Sequence, residues 1–174
     1  STDEGETWEN ISSNKGLPKG LWGIAGITVS PVNSDLVWSC IENEKSGVYK
    51  STDGGESWKL INDERKLRQR AWYYTRIYAD TQDENIVYVL NVSYHKSTDG
   101  GKTYKTYNAP HGDHHDLWIA PEDNQRMIIG DEVKDVSSFA SSKGTRARVN
   151  SQAVTIAIPH RKRTTAVVLA VLNK

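Results

Sequence analysis

One eight-residue pattern occurs three times and constrains everything else in the chain. It reads Ser51-Thr52-Asp53-Gly54-Gly55-Glu56-Ser57-Trp58, with further copies at Ser1-Thr2-Asp3-Glu4-Gly5-Glu6-Thr7-Trp8 and Ser97-Thr98-Asp99-Gly100-Gly101-Lys102-Thr103-Tyr104. The copies start at residues 1, 51 and 97, and a period of about 50 residues is the mark of a repeat architecture. Asp in the third place accepts hydrogen bonds from its own turn, and Gly in the fifth permits a positive φ. The hydroxyls tighten the turn, and the aromatic in the eighth place begins the next strand. Each copy therefore predicts a hairpin corner in a repeated unit.

The stretches between the copies repeat as well. After a short strand at Thr7 to Ile11 and a Gly/Pro loop from Asn14 to Gly20, strands are expected at Ile24 to Ser30, Leu36 to Ile41, Val48 to Lys50 and Trp58 to Ile61. The next unit follows the same plan: a charged loop at Asn62 to Arg70, then strands at Trp72 to Ala79, Ile86 to Val92 and Tyr94 to Lys96. A third begins with Asp116 to Ala120 and Arg126 to Gly130. Four short strands per unit fit the blade of a β-propeller. The fold class is all-β, a partial propeller of about three blades.

The octet resembles the Asp-box, or BNR repeat, of sialidases, xyloglucanase-type glycoside hydrolases and the sortilin (Vps10) family. Two copies keep S-x-D-x-G-x-[ST]-W, the third changes only Trp to Tyr104, and the resemblance covers roughly residues 1 to 131. It implies that each box joins the third and fourth strands of a blade and faces away from any active site. Asp3, Asp53 and Asp99 are then structural. It also implies a protein working outside the cytoplasm, secreted or periplasmic. The segments Trp72 to Asp80 and His111 to Pro121 look like those of bacterial Asp-box proteins of the glycosyl-hydrolase kind.

Charge divides the chain at residue 132. Residues 133–174 carry a net charge of +7 and residues 1–132 a net of −7, and all six Trp and all eight Tyr precede residue 133. The expected organisation is blades over 1–132, then a basic, divergent segment over 133–174 with strand-like composition near its end, less ordered near 133–150 and cut first by proteases at Lys143 to Arg148. Cys40 stands alone, so no internal disulfide forms. No apolar run approaches a membrane span. The chain opens inside a repeat without a signal peptide, which reads as a mature product or a fragment.

The loops into each inner strand and out of each second strand share one end of the blades. That end collects Trp22, Trp72, Tyr73, Tyr74, Arg76, His111, Asp113, His114, His115, Asp116, Asp131 and Glu132. Three His and two Asp within His111 to Asp116 could ligate a metal, supply an acid and a base, or form a solvated loop bonded to local backbone. Glycoside hydrolysis needs two carboxyls facing each other across about 5 to 9.5 Å. The expected catalytic residues are Asp113, His114 and Asp116, with neither metal nor cofactor. The expected substrate contacts are Trp22, Trp72, Tyr73, Tyr74, Arg76, His111 and His115. One Arg falls short of a sialidase arginine triad, and no Gly-x-Ser-x-Gly marks an esterase. Arg161-Lys162-Arg163 lacks the nearby aromatics of a nucleic-acid site.

Three functions fit this pattern: a glycoside-hydrolase-like propeller acting on carbohydrate, a sortilin-like module binding a glycan or peptide, and an inert propeller fragment. Neither a membrane nor a nucleic-acid partner is expected. A homodimer is expected, in which the strand Thr7 to Ile11 of each copy completes the unfinished third blade of the other and closes a six-bladed ring.

Overall fold

The computed structural model describes residues 1, 3–107 and 112–131 in full, together with the backbone of 153–160 and 163–170. Twelve strands among these residues form three four-stranded antiparallel sheets. Blade 1 holds β1 (Ala25–Val29), β2 (Val37–Ile41), β3 (Gly47–Ser51) and β4 (Lys59–Asn62). Blade 2 holds β5 (Arg76–Ala79), β6 (Val87–Leu90), β7 (Tyr94–Ser97) and β8 (Lys105–Tyr107). Blade 3 holds β9 (His114–Ala120), β10 (Asp123–Asp131), β11 (Ala153–His160) and β12 (Arg163–Ala170). Each blade runs in chain order from its first strand to its fourth.

Alternation along the second strands explains the stacking. Side chains of a strand point to opposite faces in turn. Val87 and Val89 of β6 join Trp38, Cys40 and Val48 of blade 1 in one core. Tyr88 and Leu90 join Leu117, Ile119 and Ile129 of blade 3 in another. Both faces of β2 and β6 are therefore covered, which is why each reads as an unbroken buried run. Cross-strand cations reinforce the pattern: Lys50 lies opposite Trp38 with Nζ 4.9 Å from its ring centroid, and Lys96 lies opposite Tyr88 at 5.4 Å. Such contacts contribute about 0.5–1 kcal/mol where partly exposed.

All three boxes close alike. In the second, Asp53 accepts hydrogen bonds from the Ser57 amide (2.9 Å), the Ser57 hydroxyl (2.5 Å) and the Ser51 hydroxyl (2.6 Å). Gly55 at φ +99° receives the indole of Trp58, whose Nε1 donates to Gly55 O at 2.9 Å. In the third box Tyr104 has no indole N–H, and Trp38 of blade 1 donates to Gly100 O instead, at 2.8 Å. Gly54 N bonds Asp35 O and Gly100 N bonds Asn85 O, so each box sits beside the turn between the first two strands of its blade.

Two expectations are corrected at the N-terminal side. Among the described residues Thr7 to Ile11 is not a strand and pairs with no neighbouring strand. The first box keeps its hydrogen bonds, Thr7 N to Asp3 Oδ1 and Trp8 Nε1 to Gly5 O. Yet Trp8 is 80% exposed where Trp58 is 8%. The box thus closes through its own hydrogen bonds even where its aromatic is exposed. Trp72 to Ala79 is also shorter than expected. Tyr73 N and Tyr74 N both bond Arg70 O, so residues 70–74 form a turn and the strand begins at Arg76.

At the other end, β11 pairs with β10 and β12 with β11 (Ile128 opposite Ile156, Ile156 opposite Val167), and blade 3 has its fourth strand. The vacant edge on which strand exchange depends is occupied by β12. The protease-sensitive stretch expected at Lys143 to Arg148 lies outside the described residues.

Acid should loosen this fold in two steps. His95, buried in β7 with Nδ1 3.0 Å from Thr106 Oγ1, is pushed down to about 4 by burial and then by the nearby Lys66 charge. The unfolded chain, with His near 6.5, takes up that proton first, so this stability is complete above pH 6.5 and is lost as pH falls towards 4. Asp99 is held at about 2 against the upward pull of burial, by hydrogen bonds from Thr103, Ser97 and Lys102. Its contribution is complete above about pH 4 and is lost towards pH 2. Urea midpoints followed by Trp fluorescence are expected to fall in both windows, and His95→Gln should flatten only the upper one. Equal slopes for the two proteins between pH 6.5 and 4 would rule out His95 as the group.

Candidate functional site

The candidate site lies at the end of the blades opposite the boxes, where three connections meet. These are the turn into β5 (residues 70–75), the β6–β7 turn (Asn91–Ser93) and the start of β9. Backbone bonds join the last two: Asp113 N to Val92 O at 3.2 Å and His114 N to Asn91 O at 2.8 Å. Asn91 Nδ2 also reaches Lys66 O. Blade 3 is thereby fixed to the loops of blade 2 before its sheet begins.

Asp113 is the centre of the cluster. Its carboxylate accepts a 2.5 Å hydrogen bond from the Tyr74 hydroxyl and contacts Arg70 Nη1 at 3.3 Å. Burial and then the bond to Asp113 push the Tyr74 hydroxyl up to about 12, so it stays protonated and donates. Asp113 and Arg70 both adopt left-handed backbone, at φ +57° and +53°, a region that costs non-glycine residues energy and is least unfavourable for Asp and Asn. The ion pair joins the two strained residues. Around it Tyr73, Tyr74 and His115 form a tilted and edge-to-face aromatic set with centroids 4.8–5.4 Å apart.

Behind this cluster His114 is buried, with Nδ1 against Asp131 Oδ1 and its ring edge-on to Tyr94. Asp131 Oδ2 is buried without a partner among the described residues. In front, Asp116 is exposed and accepts from the Tyr78 hydroxyl at 2.7 Å and from Leu117 N. Arg76 stands exposed on the same face of β5 as Tyr78. Burial, followed by the bond to Asp116, raises the Tyr78 hydroxyl well above its ordinary value.

The structure thus gathers most of the expected residues and separates one. Asp113, His114, His115, Tyr73 and Tyr74 are brought together, with Trp72 71% exposed at the tip of the turn. Of the three expected catalytic residues, only Asp116 presents its carboxylate to solvent. Trp22 lies elsewhere: its Nε1 donates to Pro18 O and its ring packs near Val37, Ile41, Tyr49 and Trp58 of blade 1. His111 lies outside the described residues. Sequence reasoning missed Arg70 and Tyr78. No periodicity marks Arg70, since its role depends on backbone beyond the strand, but Tyr78 alternates with Arg76 and was legible. No group of three His, Cys, Asp or Glu suited to a metal occurs among the described residues. An open cleft of about 960 Å³ is lined by Asn10 and residues 12–22. Its lining holds Lys15 and Lys19 but no acid and no His, so the carboxylates and imidazoles gather around Asp113 instead.

Comparisons agree on the fold. The BNR/Asp-box repeat family matches residues 49–60. An ancestral GH74 enzyme is similar at 20% identity and TM-score 0.55, covering 88% of this chain and 20% of its own. The GH74 enzyme of Niastella koreensis is similar at 17% and 0.53, covering 81% and 22%. YCF48 bound to D1 peptide is similar at 18% and 0.50, covering 95% and 46%. No curated protein matches the chain in sequence. The chain spans about a fifth of the length of the GH74 enzymes and less than half of the YCF48 chain. One BNR/Asp-box repeat, three four-stranded blades and these neighbours show a partial β-propeller fold.

Proposed function

We propose that the chain forms part of a glycosidase-like propeller that contacts carbohydrate at the end of its blades opposite the boxes. The observation that carries this reading is the exposed pair Trp72 and Tyr73, held on a short turn by the bonds of Arg70 and Tyr74 to Asp113. Aromatic faces on a rigid support suit the C–H faces of pyranose rings at low entropic cost. Asp116 and Arg76 flank them as hydrogen-bonding groups for sugar hydroxyls. In this reading Asp113 and His114, both buried and paired, set the geometry, and Asp116 is the carboxylate that meets a ligand. The GH74 neighbours support the fold on which such a site is built.

Calorimetry with cellotetraose tests it. Binding in the micromolar to millimolar range is expected, with a loss of up to about tenfold for Trp72→Ala or Tyr73→Ala, since one stacked aromatic contributes about 0.5–1.5 kcal/mol. Binding unchanged in both variants would end the proposal. Chromogenic glycosides form a second arm: turnover that Asp116→Ala abolishes makes the face an active site, and binding without turnover makes it a lectin-like surface. A peptide-binding module is the alternative reading, favoured by the YCF48 neighbour solved with a D1 peptide. Peptide binding that Arg76→Ala weakens, with no sugar binding, would select it.

A further inference from the structure

The connection into blade 2 is a basic segment in an acidic part of the chain, and we infer that the sugar it meets is an acidic, uronate-bearing oligosaccharide. The inference rests on the carbohydrate reading above and names its substrate class. Residues 62–76 hold five cations (Arg65, Lys66, Arg68, Arg70 and Arg76) against two acids, Asp63 and Glu64, while residues 1–132 together carry a net charge of −7. The segment is tied to all three blades. Leu67 O accepts from Cys40 Sγ of blade 1 at 3.8 Å, and Lys66 O accepts from Asn91 Nδ2 of blade 2 at 2.9 Å. Arg70 Nη1 meets Asp113, at the start of blade 3, at 3.3 Å. Blade 2 has a blade packed on each face, so this connection belongs to the middle of the stack.

The five cations divide by partner. Lys66 bridges Glu64 at 2.6 Å and donates to Tyr104 O, and Arg70 is paired with Asp113. Arg65, Arg68 and Arg76 have no carboxylate partner among the described residues. In the 3-10 helix Arg65–Arg68 it is Leu67 that turns into the core, while Arg65 is exposed and Arg68 is half-buried with Nη2 on Asp63 O. Arg76 is exposed at the end of the same connection. The neighbouring carboxylates do not cancel these charges. Glu64 is taken by Lys66, Asp113 by Tyr74 and Arg70, and Asp116 accepts from the Tyr78 hydroxyl and Leu117 N. A guanidinium stays charged at any ordinary pH, and its planar fork matches a carboxylate through two parallel hydrogen bonds. Trp72 and Tyr73 stand exposed on this connection, between Arg70 and Arg76. A pyranose that carries a carboxylate uses both features, its ring against an aromatic and its acid on an arginine. A neutral sugar uses only the first.

Calorimetry on the full chain with cellotetraose and with β-1,4-linked tetraglucuronate isolates the carboxylates, since the two sugars share linkage and differ at C6. Tetraglucuronate is expected to bind at least about tenfold tighter at an ionic strength of about 0.01 M, where charges act over about 30 Å. At about 1 M, where they act over about 3 Å, the two affinities should come within about threefold. Arg65→Gln should weaken tetraglucuronate about twofold to fivefold, as expected for one exposed charge pair, and the double variant Arg65→Gln/Arg68→Gln by about tenfold. Cellotetraose should stay within about twofold in both. Arg65 is exposed, so its variant decides the matter even if Arg68→Gln disturbs the fold. Equal affinity for the two sugars at low salt, or a preference for tetraglucuronate that Arg65→Gln leaves unchanged, overturns the inference and leaves the carbohydrate reading standing. Binding of neither sugar overturns both. Poly-glutamate that binds as tightly as tetraglucuronate would show that charge alone is read, and would also overturn the assignment to an acidic sugar.

Discussion

Trp38→Ala is expected to lower the stability of the chain by about 3–5 kcal/mol, the usual cost of removing a large buried aromatic. Trp38 is fully buried in the core between blades 1 and 2. Its ring carries Lys50, and its Nε1 is the donor that satisfies Gly100 O in the third box. The substitution thus opens a cavity, removes a cation from its ring and leaves a carbonyl without its donor. Domains have about 5–15 kcal/mol in all, so the thermal midpoint should fall by roughly 10 °C or more. Trp8→Ala is the control. It removes the same side chain from a box that has formed its bonds but buries almost nothing, and it should cost less than about 0.5 kcal/mol. Trp38→Phe separates the contributions, keeping most of the volume while leaving Gly100 O unpaired for about 1–3 kcal/mol. Equal losses for Trp8→Ala and Trp38→Ala in urea melts would show that the boxes, and not the faces between blades, hold the stack together.

That contrast also explains what was legible in the sequence. The box is a local object: Ser51, Asp53, Gly55 and Ser57 bond within one turn, so eight letters specify its shape wherever they occur. The first copy shows this by folding with Trp8 in solvent. Strands β1 to β3 were legible because Gly/Pro/Asn turns bracket β-branched runs. What the pattern did not reveal depends on partners distant in sequence. Thr7 to Ile11 has strand composition, but a strand needs a ladder partner. Trp72 to Tyr74 has β-favouring residues too, yet Arg70 turns the chain beneath them and Asp113, 43 residues on, holds the turn. Propensity yields there to a tertiary hydrogen bond. The same holds for Asp113 itself. Its residue type marked it as a candidate for acid–base chemistry, while its burial and its two partners, neither adjacent in sequence, are set by the fold and could not be read from the segment alone.

Asp113→Ala should separate support from catalysis. The substitution leaves the buried Tyr74 hydroxyl without an acceptor, at about 1–3 kcal/mol, and puts alanine at φ +57°, at a further 1–2 kcal/mol or so. The Arg70 contact adds little, since half of that side chain is in water. The expected total is about 2–5 kcal/mol of stability. Asp113→Asn keeps an acceptor oxygen and a residue that tolerates left-handed backbone, so it should cost less than about 1.5 kcal/mol. The consequence for ligands follows from the turn that Asp113 holds. With its acceptor gone, the turn at residues 70–75 no longer fixes Trp72 and Tyr73, and cellotetraose affinity should fall at least tenfold in Asp113→Ala. In Asp113→Asn the turn survives, and affinity should stay within about threefold of wild type. A carboxylate that did chemistry would give a different pattern, because Asn can neither take up nor deliver a proton. Turnover of a chromogenic glycoside lost equally in Asp113→Asn and Asp113→Ala, with cellotetraose binding intact in the Asn variant, would make Asp113 catalytic. Binding that follows the turn, strong in Asn and weak in Ala, makes it the residue that shapes the surface.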